Sequence, residues 1–426
     1  MIATRLLSAL GLLCALSPAQ LAEAHSAGTD KMLESMMQDN DSQASTDTPL
    51  MRLSVIKPLL AAQRLVKDGK FAEALDKLHE IDAIPDHRKI EIDAVERTRV
   101  VAAADADQPA VAAQSFAGLE ASGSLAGPQK LNFCDDIASA YFRASDYPAT
   151  IAWASRYLAE GGDETRVKSM LMQAYYFTAD YAAAGKSAAA LIAAEEQSGQ
   201  TVTESQLQIL ANSAIKQNDP KQVVAALEKL VAAYPKPDYW ATLIRRVAAQ
   251  PGFSSSLAID VGRLRLAVGV LTNPDDVMDL AQQALQAGLP AEAKLILEKV
   301  SGGDAERFRH LRDMAERQTA EDMKTLPASV KEAEAQKTGQ GLVVTGLESV
   351  FLGQTEQGLA AMERGIAKGG LKSPDEARLH LGEAYAFAGL AVKAAEAFRK
   401  IEGAGIAADL ARLWLISLDR PASSSR

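Results

Sequence analysis

The stretch Ile137-Ala138-Ser139-Ala140-Tyr141-Phe142-Arg143-Ala144-Ser145-Asp146-Tyr147-Pro148 sets an apolar residue, a small residue and an aromatic at helical spacing, then breaks on a short polar segment. The pattern returns as Leu171-Met172-x-x-Tyr175 before Ala179-Asp180-Tyr181, and as Leu210-Ala211-x-x-Ala214 before Asn218-Asp219-Pro220. Aligned on Tyr147, Tyr181 and Pro220, the units lie 34 and 39 residues apart. An Ala-rich second helix follows each break, so Asn132–Gly161, Arg166–Glu195 and Ser205–Pro235 each read helix, break, helix. A period in this range is the signature of a helical solenoid.

The small residues Ala138 and Ala211 let two helices approach closely, and Tyr141 and Tyr175 one turn along the same face fill the gap. In the second helices Ala184 and Ala188, or Val223 and Leu227, recur four apart and form the facing stripe. One hairpin cannot bury both faces alone, whereas stacked neighbours can.

The same spacing is most complete in Leu381-Gly382-Glu383-Ala384-Tyr385 followed by Gly389, Ala394 and Phe398. With Pro235 closing an earlier unit, these residues resemble the tetratricopeptide repeat (TPR) family. The resemblance implies an all-α, right-handed α-solenoid of TPR-like helix-turn-helix repeats, about ten hairpins over residues 51–420. It also implies a binding wall on the first helices; no cofactor is expected, since the sequence holds no cofactor-binding motif. Fold alone fixes no partner, because this architecture hosts many unrelated roles.

Composition agrees with close helix packing. Hydrophobic content is 48% but aromatic content only 5%, so small aliphatic residues do most of the packing and a large β-rich domain is disfavoured. The net charge of −10 argues against general nucleic-acid binding, which needs clustered Lys and Arg.

Residues 1–24 read as a signal peptide: Arg5, an apolar run from Leu6 to Leu16, and Ala22-Glu23-Ala24 as a small-x-small site before His25. That run is too short to span a bilayer, and no other run is long enough, so a bacterial periplasm is the expected location. Residues 25–50 are a polar leader, expected to be disordered or to form a helix lying on the first repeat; the alternative is that Met32, Met36 and Met37 form one short helix face or a soft-metal site. Residues 305–335 read as a degenerate repeat, heavily charged and interrupted by Pro327. Leu410 to Leu418 reads as a terminal capping helix, and residues 421–426 as a tail.

Catalytic and metal motifs are missing from the sequence. The five His form no paired helical motif, and no phosphate-cradling Gly-rich loop or Gly-x-Ser-x-Gly elbow occurs. After loss of Cys14 with the signal, Cys134 is a lone thiol, expected to behave as a small buried hydrophobe. The candidate site is therefore a surface. Opposite the packing stripe stand Asn132, Arg143, Arg166, Gln173, Tyr176, Gln208, Asn212, Lys216 and Arg245, with Asp135 and Ser139 among them. Such a wall would bind a protein or peptide, and its cations point to an acidic or carboxylate-bearing segment. The expected function is a non-catalytic periplasmic scaffold of the kind that serves envelope assembly, secretion or polysaccharide export. A subunit of a fixed envelope complex would be marked by an exposed apolar patch. An enzyme with a site scattered over the inner wall would be marked by perturbed acids, His or Cys in one deep pocket.

Overall fold

The computed structural model describes residues 51–299, 306 and 308–419; the signal, the leader and the tail lie outside them. Among these residues the chain is all-α, with twenty α-helices, one short 3₁₀ turn and no strand. It divides into two compact units, one ending at Asn218 and one starting at Asp219. The boundary falls in the turn of the Ser205–Pro235 stretch. The two helices expected to form one hairpin therefore belong to different units.

The first unit stacks four hairpins and one further helix. The pairs are α1 (Leu53–Lys67) with α2 (Phe71–Asp82), α3 (Lys89–Asp105) with α4 (Pro109–Ala121), α5 (Gly127–Arg143) with α6 (Tyr147–Ala159), and α7 (Thr165–Phe177) with α8 (Tyr181–Ser198). Helix α9 (Glu204–Lys216) packs on α8 and α7. Each first helix also touches the next first helix, which places α1, α3, α5, α7 and α9 in one row. Ala138 and Ala211 are buried as the small positions of the repeat require. Gly127 and Pro128 open α5, because Pro near the first turn forfeits only a donor that has no helical partner.

The turns share one backbone solution. Ser145, Ala179 and Asn218 adopt φ of 59°, 62° and 58°, and the residue after each is an Asp. Asp146, Asp180 and Asp219 then accept hydrogen bonds from the free N–H groups of the following helix, at Ala149, Ala183 and Gln222. The polar breaks seen in the sequence are thus left-handed turns joined to helix caps.

The second unit contains α10 (Pro220–Ala233), α11 (Pro237–Ala248), α12 (Ala258–Ala267), α13 (Pro274–Gln286), α14 (Pro290–Glu298), α15 (Arg309–Ala335), α16 (Gln340–Phe351), α17 (Thr355–Lys368), α18 (Pro374–Phe387), α19 (Ala391–Arg399) and α20 (Ile406–Leu418). Two sequence expectations change here. Residues 309–335 form one 27-residue helix that runs through Pro327, not a two-helix repeat. It buries only Ala315, Leu326 and Ala333, so a solvated helix tolerates the missing donor. Helix α20 does not merely cap an end. It packs on α18 and α19 and also on α10, α11 and α12, so the last helix of the unit returns to its first three.

Helices α16 and α17 approach through facing glycines. A Cβ on Gly346 would stand 2.7 Å from the carbonyl oxygen of Gly358, and one on Gly358 would stand 2.5 Å from that of Gly346. Near the C-terminal motif, a Cβ on Gly382 would lie 2.4 Å from the Phe398 ring, which is why the small position of that motif is a glycine.

Candidate functional site

Helices α5, α7 and α9 carry eight of the nine residues singled out from the sequence; Arg245 lies on α11 in the other unit. The side chains do not all point into solvent. Gln173 is buried, as is Ser139, because the face beside the packing stripe is where one first helix meets the next. Asn132 is exposed.

The two arginines of the wall are already engaged. Arg166 on α7 donates to Ser139 Oγ at 2.8 Å and to both carboxylate oxygens of Asp135 on α5. Arg143 donates from Nε to Asp107 at 2.7 Å and from Nη2 to the Ala104 carbonyl at 2.6 Å. Each arginine therefore ties a first helix to the one before it. The reading of these cations as waiting for a partner's carboxylate is corrected by these contacts. Asp136, also on α5, feels the charge of both arginines. Burial, with Asp135 and Asp105 beside it, pushes its carboxyl well above the usual range, against the pull of Arg166 and Arg143.

The α7–α9 end is different. Tyr176 on α7 lies near Asn212 on α9, and burial pushes its phenol above the ordinary value. Its ring meets Phe177 at 6.2 Å and Tyr181 at 5.6 Å, and Phe177 stacks on Tyr147 at 4.6 Å. Lys216 is exposed, with its ammonium 5.9 Å from the Tyr181 ring. Gln208, half-buried one turn into α9, donates weakly to Glu204 at 3.4 Å. This end combines amides, rings and one exposed cation, a set able to bind peptide backbone and carboxylate groups.

The second unit holds a charged cluster that sequence reasoning missed. Arg263 on α12 makes a two-pronged contact with Glu292 on α14, 2.7 Å at each prong. Its Nη1 donates to Asp260 and to Glu383 on α18, both at 2.9 Å. Trp414 Nε1 on α20 donates to the other Glu383 oxygen at 3.1 Å. All four charged groups are buried. Burial and neighbouring Asp260 raise the Glu383 carboxyl well above its ordinary value, whereas His380 and Arg263 hold Asp260 below its own despite burial. His380 Nε2 stands 3.2 Å from Asp260 Oδ1, at ion-pair distance but out of hydrogen-bond alignment. The sequence signal was available in Asp260-x-x-Arg263 and in a Glu inside the apolar Leu381–Tyr385 motif. Nothing in the sequence shows that residues 120 apart meet.

These perturbed acids join helices rather than line the cavity of about 430 Å³ among α15, α16 and α17, whose walls include Val330, Ser349, Gln354 and Arg364. Among the described residues no three His, Cys, Asp or Glu are arranged to hold a metal, and no helix is long and apolar enough to cross a membrane. Cys134 is buried, and burial pushes its thiol up to about 11.

No family model and no curated protein matches the chain. Among solved structures, the structure of Naa15/Naa10 bound to HypK-THB aligns at 13% identity and TM-score 0.34, over 81% of this chain and 52% of that one, so the chain spans about half of its length. The apo form of RapI aligns at 12% identity and TM-score 0.26, over 84% and 97% of the two chains. The TPR domain of P58(IPK) aligns at 13% identity and TM-score 0.21, over 85% and 98%.

Proposed function

We propose that the chain is an exported, non-catalytic scaffold that holds a protein or peptide partner on the row of first helices in its first unit. The observation that carries this reading is the α7–α9 end of the wall, where Tyr176, Asn212 and Gln208 are half-buried and Lys216 is exposed. A peptide carboxylate would reach Lys216, and the amides would take backbone groups. Arg143 and Arg166 hold the wall in shape and take no direct part. The proposed location is a bacterial periplasm, reached through removal of residues 1–24.

The test is photocrosslinking in the native envelope from a reactive residue placed at the exposed Phe177, followed by identification of the captured protein. Capture should be lost in Lys216→Glu with Asn212→Ala, while the helical melting curve stays in place. Capture from the exposed face of Arg309–Ala335, with none from position 177, would overturn the assignment of the surface. Export is checked separately: the mature protein should begin at or near His25, and recovery of Met1 on the soluble cytoplasmic protein would reject it.

A fixed envelope complex is the second reading. It is supported by Phe387, Leu390 and Val392 at the α18–α19 turn, which expose 52%, 41% and 75% of their surface.

A further inference from the structure

Helix α1 has two opposed faces. Val55, Leu59, Ala62 and Val66 are buried against α2 and α3. Arg52 fixes the start of the helix by donating from its backbone N–H and its guanidinium to Glu91 of α3. At about 100° per residue, Leu53, Lys57, Leu60, Arg64 and Lys67 fall within an arc of about 80° on the other side. Leu53 and Leu60 expose 71% and 49% of their surface, and the three cations are exposed without an ion pair among the described residues. The helix has no acidic residue, in a chain of net charge −10. A solenoid end needs a polar outer face or a cap, and this face is apolar and basic instead.

The chain preceding α1 supplies the complement. Residues 25–50 carry Asp30, Glu34, Asp39, Asp41 and Asp47 against a single Lys31. Their main apolar group is Met32-Leu33-x-x-Met36-Met37, whose members pair at the i,i+4 spacing of one helix face. We infer that Asp30–Asp41 docks on the outer face of α1, its methionines and Leu33 on Leu53 and Leu60 and its carboxylates against Lys57, Arg64 and Lys67. Reach is sufficient. Residues 38–50 can extend to roughly 45 Å, about twice the ~22 Å length of a 15-residue helix. The chain thus carries its own cap. This surface is separate from the partner wall, and the inference stands without it.

The test is disulfide trapping in the full chain carrying Cys14→Ser, with Met36→Cys and Leu60→Cys; the buried Cys134 stays in place. The bond should form within one chain, at a rate independent of protein concentration. Adding Lys57→Glu and Arg64→Glu should slow it by roughly tenfold, the equivalent of reversing two exposed charge pairs. In parallel, deleting residues 30–41 should speed amide hydrogen exchange across Leu53–Lys67 and leave α5–α9 unchanged. A bond that forms only between chains and disappears on dilution would assign the face to a second copy and overturn the inference. So would the absence of a bond while both thiols react freely with an external reagent, or exchange in α1 that ignores the deletion.

Discussion

The two units differ in how far along the sequence their ion pairs reach. In the first, Arg166 with Asp135 and Arg143 with Asp107 at the half-exposed wall, and Arg52 with the buried Glu91, each join elements close in the repeat order. In the second, Arg263, Asp260, Glu292 and Glu383 are buried and join α12, α14 and α18, with α20 attached through Trp414. Arg412 of α20 also pairs with Glu228 of α10, 184 residues earlier. A stack held by neighbour contacts loses stability locally, because each repeat depends on those beside it. A unit whose last helix returns to its first has no free end of that kind and should unfold as a whole.

The largest effect that tests this contrast is expected from Arg263→Ala. Removing one partner of a buried cluster leaves uncompensated charge and typically costs about 3–5 kcal/mol. Hydrogen exchange should accelerate together in α10–α12, α18 and α20, with the first unit unchanged. Loss confined to α12 would show that the second unit is not cooperative.

The matching change in the first unit is Ile137→Ala. Ile137 is fully buried on α5, and an aliphatic truncation of this kind costs about 2–5 kcal/mol. Protection should fall in α5 and α6 and in the adjoining α3 and α7, while α1 and α2 hold. Tyr141, read from the sequence as a core ring, is only half-buried at the edge of that core. Tyr141→Ala should therefore cost about 1–2 kcal/mol rather than the full price of a buried aromatic. The denaturation midpoint of the purified variant decides between the two.

The hairpins were legible because their signals are local: a small residue where helices touch, a polar cap after a left-handed turn, an apolar stripe of period 3.6. The returning α20, the Arg263 cluster and the split of Ser205–Pro235 were not. Each depends on residues far apart in sequence, and an apolar α20 reads the same whether it caps an end or packs on α10–α12. The partner wall was legible in its residue types but not in its pairing. The acids that hold Arg143 and Arg166 lie on the preceding repeat or in its turn, where sequence order gives no register.

Both units should respond to acidity, since burial raises Asp136 in the first as it raises Glu348 and Glu383 in the second. Glu348 on α16, half-buried beside Asp322 of α15, is pushed up to about 7 by burial and then by that neighbour. A carboxyl raised above its unfolded value contributes stability that is complete below about 4.5 and lost as pH rises through about 7. Glu383 acts in the same direction. The second unit should thus be less stable at pH 8 than at pH 5. Glu348→Gln should recover on the order of 1 kcal/mol at pH 8, after allowance for solvent screening, and little at pH 5. Equal effects at both pH values would refute this assignment.

The smallest expected effect concerns the turn that the hairpins share but build in two ways. In the α5–α6 and α7–α8 hairpins of the first unit the left-handed residue before the second helix is Ser145 or Ala179, and an Asp follows that caps the helix; in α1–α2 it is Gly69, followed by Lys70, which offers no side-chain cap. In the second unit, Gly288 and Gly389 take the same position at φ of 72° and 74°, followed by Leu289 and Leu390, which offer no side-chain cap. A residue with a Cβ pays about 1–2 kcal/mol for the left-handed conformation, whereas glycine adopts it freely but loses more entropy on folding. The Ser145 and Ala179 turns accept strain and offset it with a cap; the glycine turns, Gly69 of the first unit included, accept entropy and forgo the cap. Ala179→Gly relieves the strain but gives back roughly 0.4–1 kcal/mol through the unfolded chain, so the net gain should be about 0.5 kcal/mol. Gly389→Ala should lose about 1 kcal/mol. Asp180→Ala should cost about 1 kcal/mol, and Leu390→Asp should stabilise if the missing cap is what the glycine turn lacks. Midpoints measured for the four variants give the comparison directly. If Ala179→Gly destabilises the protein, the αL strain is smaller than the entropy of the glycine, and the two turns are equivalent solutions in free energy despite their different residues.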